Sequence, residues 1–201
     1  MSIIDISSLY RIFIDPVLSP SHEIVKSIIG KNKKIIDIAC GTGSLVFKLA
    51  PNAKYIIGID LSVPMIKQAI IIRHKLSFNN TKFLVHDALK LDSVIKEKYN
   101  YATLSMAVHQ FPMETGLNIL NKLKIHVNQI IIFDYNFKMK SNILKKIVYI
   151  MERIAGKEHY ENFKYYMNTG GLPAILKKLQ LKIDKKIITG NGVFTIIKVK
   201  T

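Results

Sequence analysis

The sequence predicts an α/β fold: a doubly wound, mostly parallel sheet of seven strands with helices on both faces. Three observations support this prediction. Short strand-like runs alternate with helix-length runs from residue 34 onward, several strand runs are continuous in isoleucine, and a glycine-rich turn separates the last two runs. Alternating strands and helices imply right-handed crossovers and a parallel sheet. Strands that are buried on both faces read as continuous apolar runs.

The elements follow in order along the chain. Residues 1–30 are predicted to be a helical lead-in, because apolar residues recur at helical spacing and Ser19 followed by Pro20 is a typical helix start. Ser62 and Pro64 give the same signal for a later helix. The first five strands are predicted at 34–38, 54–60, 82–86, 101–106 and 129–134. The helices between them are predicted at 43–50, 63–75, 93–98 and 114–125.

The last sixty residues complete the fold. A helical insert at 141–168 is expected to form a lid over a substrate, and the apolar stripe at 143–154 within it is expected mostly to pack into the core. A helix at 172–180 precedes two strands at 181–188 and 193–200. The loop between these strands contains two glycines and an asparagine, which tolerate positive φ, so the strands should form an antiparallel hairpin. The 201 residues are expected to form a single domain.

Composition excludes several classes of protein. With 49% hydrophobic and 22% charged residues the chain is typical of a globular protein. No apolar run reaches the roughly 18 residues that span a bilayer, and the N-terminus does not resemble a signal peptide. The single cysteine, Cys40, excludes an intrachain disulfide, so the expected location is the cytoplasm. The net charge of +16 comes mostly from lysine, which favours a solvated surface over a specific nucleic-acid site.

The clearest chemical signal follows the first predicted strand. Residues 37–43 read Asp-Ile-Ala-Cys-Gly-Thr-Gly and lead directly into a helix. Gly41 and Gly43 can adopt positive φ and leave room for a ligand beside the backbone, while a helix N-terminus offers N–H donors to an anionic group. A dinucleotide-binding fingerprint would need a third glycine where Val46 stands, which disfavours NAD.

An acidic residue followed by x-x-x-Gly-x-Gly resembles the first motif of class I S-adenosylmethionine-dependent methyltransferases, which have a Rossmann-like fold. The resemblance covers residues 35–135 and implies S-adenosyl-L-methionine as the cofactor and methyl transfer as the activity. In that family the acidic residue and the glycine loop hold the methionyl end of the cofactor. The resemblance therefore assigns five residues to this role: Asp37, Ala39, Gly41, Thr42 and Gly43.

Two further aspartates follow predicted strands. Asp60 ends the second strand, where a carboxylate can accept hydrogen bonds from both ribose hydroxyls of a nucleoside. In the resembled family an acidic residue at the position of Asp87 meets the adenine amino group, and Leu61 and Ala88 would flank the adenine ring. Ser105, near the end of the fourth strand, completes the predicted cofactor site.

The methyl acceptor is expected near the end of the fourth strand and in the helical insert. The segment 105–112 lacks the Asn/Asp-Pro-Pro-aromatic motif of amino-methylating enzymes and resembles the small-molecule branch, the ubiquinone- and menaquinone-biosynthesis-like methyltransferases. His109 is a candidate general base or acceptor-orienting group, and a capping or packing role is the alternative. His159 and Tyr160 are further catalytic candidates, from an aromatic cluster that could surround a flat or lipid-like acceptor.

Other functions stay open at this stage. Asp134 and Asn136 could contribute to a divalent metal site, but without a paired acidic cluster no metal site is predicted. One alternative function is RNA methylation on the basic surface. Another is a non-catalytic, cofactor-binding module that contacts a partner or a membrane surface through the amphipathic stripe at 144–154. The sequence predicts no oligomeric state.

Overall fold

The structure, a computed structural model, describes residues 15–201. Its helices are α1 (Asp15–Ile29), α2 (Ser44–Leu49), α3 (Val63–Lys75), α4 (Met113–His126), α5 (Asn142–Ile154), α6 (Lys157–Asn168) and α7 (Gly171–Lys178). Its strands are β1 (Lys34–Ile38), β2 (Tyr55–Asp60), β3 (Thr81–Val85), β4 (Tyr99–Ser105), β5 (Val127–Tyr135), β6 (Ile183–Thr189) and β7 (Phe194–Lys200). Short 3₁₀ helices lie at Ala88–Ser93, Val108–Gln110 and Gly190–Gly192. The predicted lead-in at 1–14 lies outside the described residues.

The seven strands form one sheet in the order β3-β2-β1-β4-β5-β7-β6. Strand β2 pairs in parallel with β1 and β3, so Ile38 lies opposite Ile59 and Asp60 lies opposite Val85. Strand β7 runs antiparallel to both of its neighbours, β5 and β6. The predicted fold class, with its mostly parallel sheet and C-terminal antiparallel hairpin, is confirmed.

The chain divides into two compact units, whose described parts are residues 15–103 and 104–201. We refer to them as unit 1 and unit 2. Each has an apolar core, and each large aliphatic side chain buried there contributes about 1.5–3 kcal/mol to folding. Core residues of unit 1 include Ile35, Ile36, Ile38, Leu49, Ile56 and Ile59. Core residues of unit 2 include Leu120, Leu123, Ile130, Ile132, Phe133, Phe163 and Ile197.

Most predicted elements are confirmed, and two predictions of helix boundaries are wrong. Pro20 lies inside α1 rather than at its start. Leu18, Val25 and Ile29 are buried along this helix, and their packing outweighs the one backbone hydrogen bond that proline removes. The predicted helix at 93–98 is also absent, because Asp87 starts a 3₁₀ helix five residues earlier by accepting a hydrogen bond from Leu89 N at 2.8 Å.

The apolar stripe of the insert does not pack as predicted. Ile143, Ile147, Ile150, Met151 and Ile154 of α5 are all exposed, with exposed fractions between 40% and 80%. The buried positions of this helix are Val148 and Glu152. Spacing alone could not separate the two faces, because isoleucines occur on the solvent side as well. None of the helices described for residues 15–201 has the length and hydropathy to cross a membrane.

Candidate functional site

The glycine-containing segment after β1 is a tight turn in which alternate residues are left-handed. Ala39, Gly41 and Gly43 have φ values of 53°, 54° and 84°. Ala39 bears the strain that a non-glycine residue has in this region, on the order of 1–3 kcal/mol. Two backbone hydrogen bonds fix the turn, from Gly43 N to Cys40 O at 2.9 Å and from Cys40 N to Ile59 O at 3.0 Å. The chain therefore reverses within five residues and enters α2 at Ser44.

The two glycines of the turn have different surroundings. A Cβ atom at Gly43 would lie 2.8 Å from the ring of Phe83 and 2.9 Å from the ring of Phe47. A Cβ atom at Gly41 would meet no atom within 4 Å. Gly43 is thus required by packing and by its φ value, whereas the backbone at Gly41 borders open space that a ligand can approach.

Asp60 joins the glycine turn to the next helix. Its Oδ2 accepts a hydrogen bond from Gly41 N at 2.8 Å, and its Oδ1 accepts one from Ser62 N at 2.8 Å. Ser62 in turn caps α3 by accepting from Met65 N, as predicted from the sequence. An ionised carboxylate has about four acceptor positions, so Asp60 retains capacity for the hydroxyls of a nucleoside.

Asp37 lies in the interior of β1, 1% exposed. Thr103 Oγ1 donates a hydrogen bond to Asp37 Oδ1 at 2.5 Å. Burial is the main reason that the pKa of Asp37 is raised to about 7, the nearby Asp60 charge adds to it, and the Thr103 hydrogen bond opposes it. The sequence analysis did not identify Thr103, because a threonine within a strand gives no signal that it faces a carboxylate.

The remaining predicted cofactor residues differ in their positions. Leu61 is 70% exposed and leaves apolar surface directly after β2. Asp87 uses its Oδ1 to cap the 3₁₀ helix that begins at Ala88. Thr42 is buried, and Ser105 is the last residue of β4 and belongs to unit 2. Nine of the ten predicted positions therefore lie in unit 1.

The residues of unit 1 fit the cofactor that the sequence implies. The open backbone at Gly41, the spare acceptor positions of Asp60 and the exposed Leu61 offer the amide, carboxylate and apolar surfaces that an amino-acid-linked nucleoside requires. When bound, S-adenosylmethionine supplies an electrophilic methyl group on its sulfonium centre.

The catalytic candidates lie in unit 2, where His109 is 1% exposed in the 3₁₀ helix after β4. His109 Nδ1 lies 2.6 Å from Asp134 Oδ1. The backbone N–H groups of Val108 and His109 donate to Asp134 Oδ2 at 2.9 and 3.2 Å, and Tyr135 N donates to Oδ1 at 2.7 Å. Asp134 is therefore fully committed to holding His109 and does not face outward as a metal ligand.

Glu152 connects His109 to His159. Its Oε2 lies 3.5 Å from His109 Nε2 and is hydrogen-bonded to His159 Nε2, while its Oε1 accepts from Tyr135 Oη at 2.7 Å. Glu152 was not identified from the sequence. Its burial beside Val148 on α5 depends on tertiary packing, and the sequence carries no local signal for it.

In the cluster of His109, Asp134, Glu152 and His159, neighbouring groups shift the pKa values of His109 and Glu152. Burial is the largest influence on His109 and opposes its charge, but Asp134 and Glu152 together outweigh it and raise the pKa of His109 to about 9. Burial would likewise raise the pKa of Glu152, yet hydrogen bonds from His109, His159 and Tyr135 lower it well below its usual value. His159 is the exposed member, with 23% of its side chain accessible.

Aromatic rings surround this cluster. The centroid of the His109 ring lies 4.8 Å from that of Tyr135, 5.5 Å from that of His159 and 6.0 Å from that of Phe163. Tyr160 stacks on Phe163, and Lys164 Nζ lies 4.9 Å from the centroid of the Tyr160 ring. The aromatic residues expected to surround an acceptor therefore pack around the histidines, as well as against each other.

Comparison with known proteins identifies the family. The family model described as a methyltransferase domain matches residues 29–192, which is most of the chain. The chain belongs to the methyltransferase domain family. The matched residues form a methyltransferase domain.

Three similar proteins show how far this methyltransferase resembles others. An uncharacterized RNA methyltransferase from Clostridium tetani is 26% identical over 159 residues, covering 75% of this chain but 34% of that protein, so the chain spans about a third of its length. The structure of the PH0226 protein from Pyrococcus horikoshii matches with a TM-score of 0.70 and 19% identity, over 95% of this chain and 90% of that one. Magnesium protoporphyrin IX methyltransferase from Synechocystis with bound SAH matches with a TM-score of 0.64 and 17% identity, over 100% and 90%.

Proposed function

We propose that this methyltransferase transfers the methyl group of S-adenosylmethionine to a small-molecule acceptor in the cytoplasm. The observation that carries the proposal is the turn at 39–43, which is open at Gly41 and bonded to the Asp60 carboxylate. Asp37, Ala39, Gly41, Thr42 and Gly43 are assigned to the methionyl end. Asp60, Leu61, Asp87 and Ala88 are assigned to the nucleoside, with Ser105 as a further cofactor contact.

The acceptor is assigned to unit 2. His109 and His159, linked by Glu152, would orient the acceptor, and Tyr160 would contribute an aromatic wall. A small, flat acceptor suits a group of rings better than a polymer does. The similarity to a magnesium protoporphyrin IX methyltransferase supports this class of acceptor without identifying the molecule.

The cofactor assignment is tested by isothermal titration of S-adenosylhomocysteine into the wild type, Asp60→Asn and the exposed control Asp184→Asn. A charge-assisted hydrogen bond contributes about 1.5–3 kcal/mol, so Asp60→Asn should weaken binding roughly 10- to 100-fold. The control should bind like the wild type, and circular dichroism should confirm that all three proteins are folded. Absence of wild-type binding, or equal affinities in all three proteins, would refute the assignment.

The acceptor class is tested by screening quinols, phenols, amines and lipids for release of S-adenosylhomocysteine. Turnover with one of these classes, reduced in His159→Ala, supports the proposal. Turnover on RNA fragments alone contradicts it.

RNA methylation is a second candidate, favoured by the net charge of +16 and by the similarity to the clostridial protein. Binding to RNA through lysines releases counterions, so its affinity should fall steeply as salt rises. An electrophoretic or anisotropy titration at low and physiological salt tests this candidate. Absence of RNA binding at low salt would eliminate it.

A further inference from the structure

The 3₁₀ helix after β4, α5 and α6 of unit 2 each contribute one group typical of a transition-metal site. His109 Nε2, Glu152 Oε2 and His159 Nε2 converge, and one ligand atom from each residue lies within 4.8 Å of the others. Two ligands that are each about 2.0–2.1 Å from a tetrahedral ion lie roughly 3.4 Å apart. The distance of 3.5 Å between His109 Nε2 and Glu152 Oε2 agrees with that value. Glu152 Oε2 and His159 Nε2 are hydrogen-bonded directly, so these two atoms would move apart to share an ion.

The surroundings of His109 match the outer shell of a metal ligand. Asp134 accepts four hydrogen bonds, one of them from His109 Nδ1–H, which leaves Nε2 of His109 as the ligand atom. A metal-bound histidine usually donates its other ring N–H to a carboxylate in this way. Tyr135 Oη similarly fixes Glu152 through the oxygen that does not face the histidines.

Charge gives a second argument. Asp134 is 0% exposed and Glu152 is 7% exposed, so two buried carboxylates contact opposite nitrogens of the His109 ring. Buried charges need compensation. One divalent cation bound at this cluster would supply that compensation. The partly exposed side chain of His159 gives an ion access from solvent.

We propose that His109, Glu152 and His159 bind a first-row divalent transition metal such as Zn²⁺ or Fe²⁺. Two imidazole nitrogens and one carboxylate oxygen favour these ions over Mg²⁺ or Ca²⁺, which prefer oxygen ligands. Three protein ligands leave at least one coordination position for water or for an oxygen of another ligand. The inference is independent of the identity of the methyl acceptor and of methyl transfer itself.

The test uses untagged full-length protein, treated with a chelator and dialysed, and titrated with Zn²⁺ by calorimetry. Co²⁺ is titrated in parallel because its visible absorption reports the number and type of ligands. The expected result is one ion per chain, with nitrogen and oxygen coordination in the Co²⁺ spectrum. Mg²⁺ at the same concentration should not compete.

Three variants locate the site. Glu152→Gln keeps an acceptor for Tyr135 but removes the anionic ligand, and His159→Ala removes the exposed ligand; each should weaken Zn²⁺ binding at least 100-fold. Glu158→Gln, which removes an exposed charge from α6, is the matched control and should bind like the wild type. Thermal unfolding shows whether each variant folds and whether added Zn²⁺ raises its Tm. Absence of stoichiometric binding by the wild type, or undiminished binding by Glu152→Gln, overturns the proposal.

Discussion

Asp37 is a buried carboxylate whose environment favours its neutral form. Its pKa is about 7 in the folded protein and near 3.8 in the unfolded chain. Between these values the folded state binds more protons, so the free energy of unfolding should fall as pH rises through this window. Asp37 contributes no further pH dependence above about pH 7.

We therefore expect Asp37→Asn to gain stability relative to the wild type as pH rises from about 5 to about 8. The gain should reach a few kcal/mol, since each pKa unit corresponds to about 1.4 kcal/mol. Urea unfolding of both proteins without cofactor measures it. Thr103→Val is the companion variant; it removes the hydrogen bond that opposes the shift and should make the loss of stability at high pH larger. Parallel pH profiles for the wild type and Asp37→Asn would contradict this account.

Two glycines outside the turn differ in the space that is available for a side chain. A Cβ atom at Gly58 in β2 would lie 2.9 Å from Cys40 Sγ and from the Phe83 ring, whereas one at Gly116 in α4 would lie 3.8 Å from the nearest atom, in Phe111. Gly58→Ala should lower the free energy of unfolding by about 1–3 kcal/mol through overpacking. Gly116→Ala should raise it by roughly 0.5–1 kcal/mol, because alanine loses less conformational entropy in a helix. Chemical denaturation distinguishes them, and a loss of stability in both would show that the space at Gly116 is insufficient.

The conformation of the glycine turn was predictable from the sequence, whereas its buried polar partners and those of His109 were not. The glycine motif fixes local φ values, so 37–43 could be placed without knowledge of the rest of the chain. Glu152 is 43 residues from His109 in sequence and becomes its neighbour only through tertiary packing. Thr103 and Asp37 meet across 66 residues for the same reason.

Helix α5 shows that residues of an apolar stripe in the sequence differ in their burial. Val148 is 6% exposed and Ile150 is 60% exposed, although both belong to the apolar stripe read from the sequence. Val148→Ala should lower the free energy of unfolding by about 1–3 kcal/mol, since it removes buried methyl groups. Ile150→Ala should change it by less than about 0.5 kcal/mol. Urea unfolding of the two variants measures both, and an equal cost would mean that the isoleucine face is covered in solution.

Element boundaries show which local signals determine structure. Strands β1 to β5 were located because buried parallel strands are continuous in apolar residues, and Ser62 marked the start of α3 correctly. The region after β3 was mispredicted because the Asp87 side chain bonds to the backbone two residues later, which starts a short 3₁₀ helix in competition with a later α-helix.

The whole molecule has a net charge of +16 in 201 residues. Self-repulsion among so many lysines opposes the compact state, and salt screens it. Raising NaCl from about 20 mM to about 300 mM should therefore raise Tm by roughly 2–4 °C, which corresponds to about 1 kcal/mol for a chain of this length. Calorimetric scans without cofactor measure the change, with KCl as the control because screening depends on ionic strength. A constant or falling Tm would show that attractive ion pairs dominate instead.

The outer strand of the C-terminal hairpin affects how the protein behaves at high concentration. Among the strands described for residues 15–201, β6 pairs with β7 alone. It carries Lys185 and Lys186 and is interrupted by a register shift between Ile183 and Lys185. An irregular, cationic edge strand of this kind repels the same strand of another copy. It also lacks the regular row of unpaired backbone amides on which fibrils grow. Strand β6 is therefore a poor template for aggregation, although the chain is rich in isoleucine.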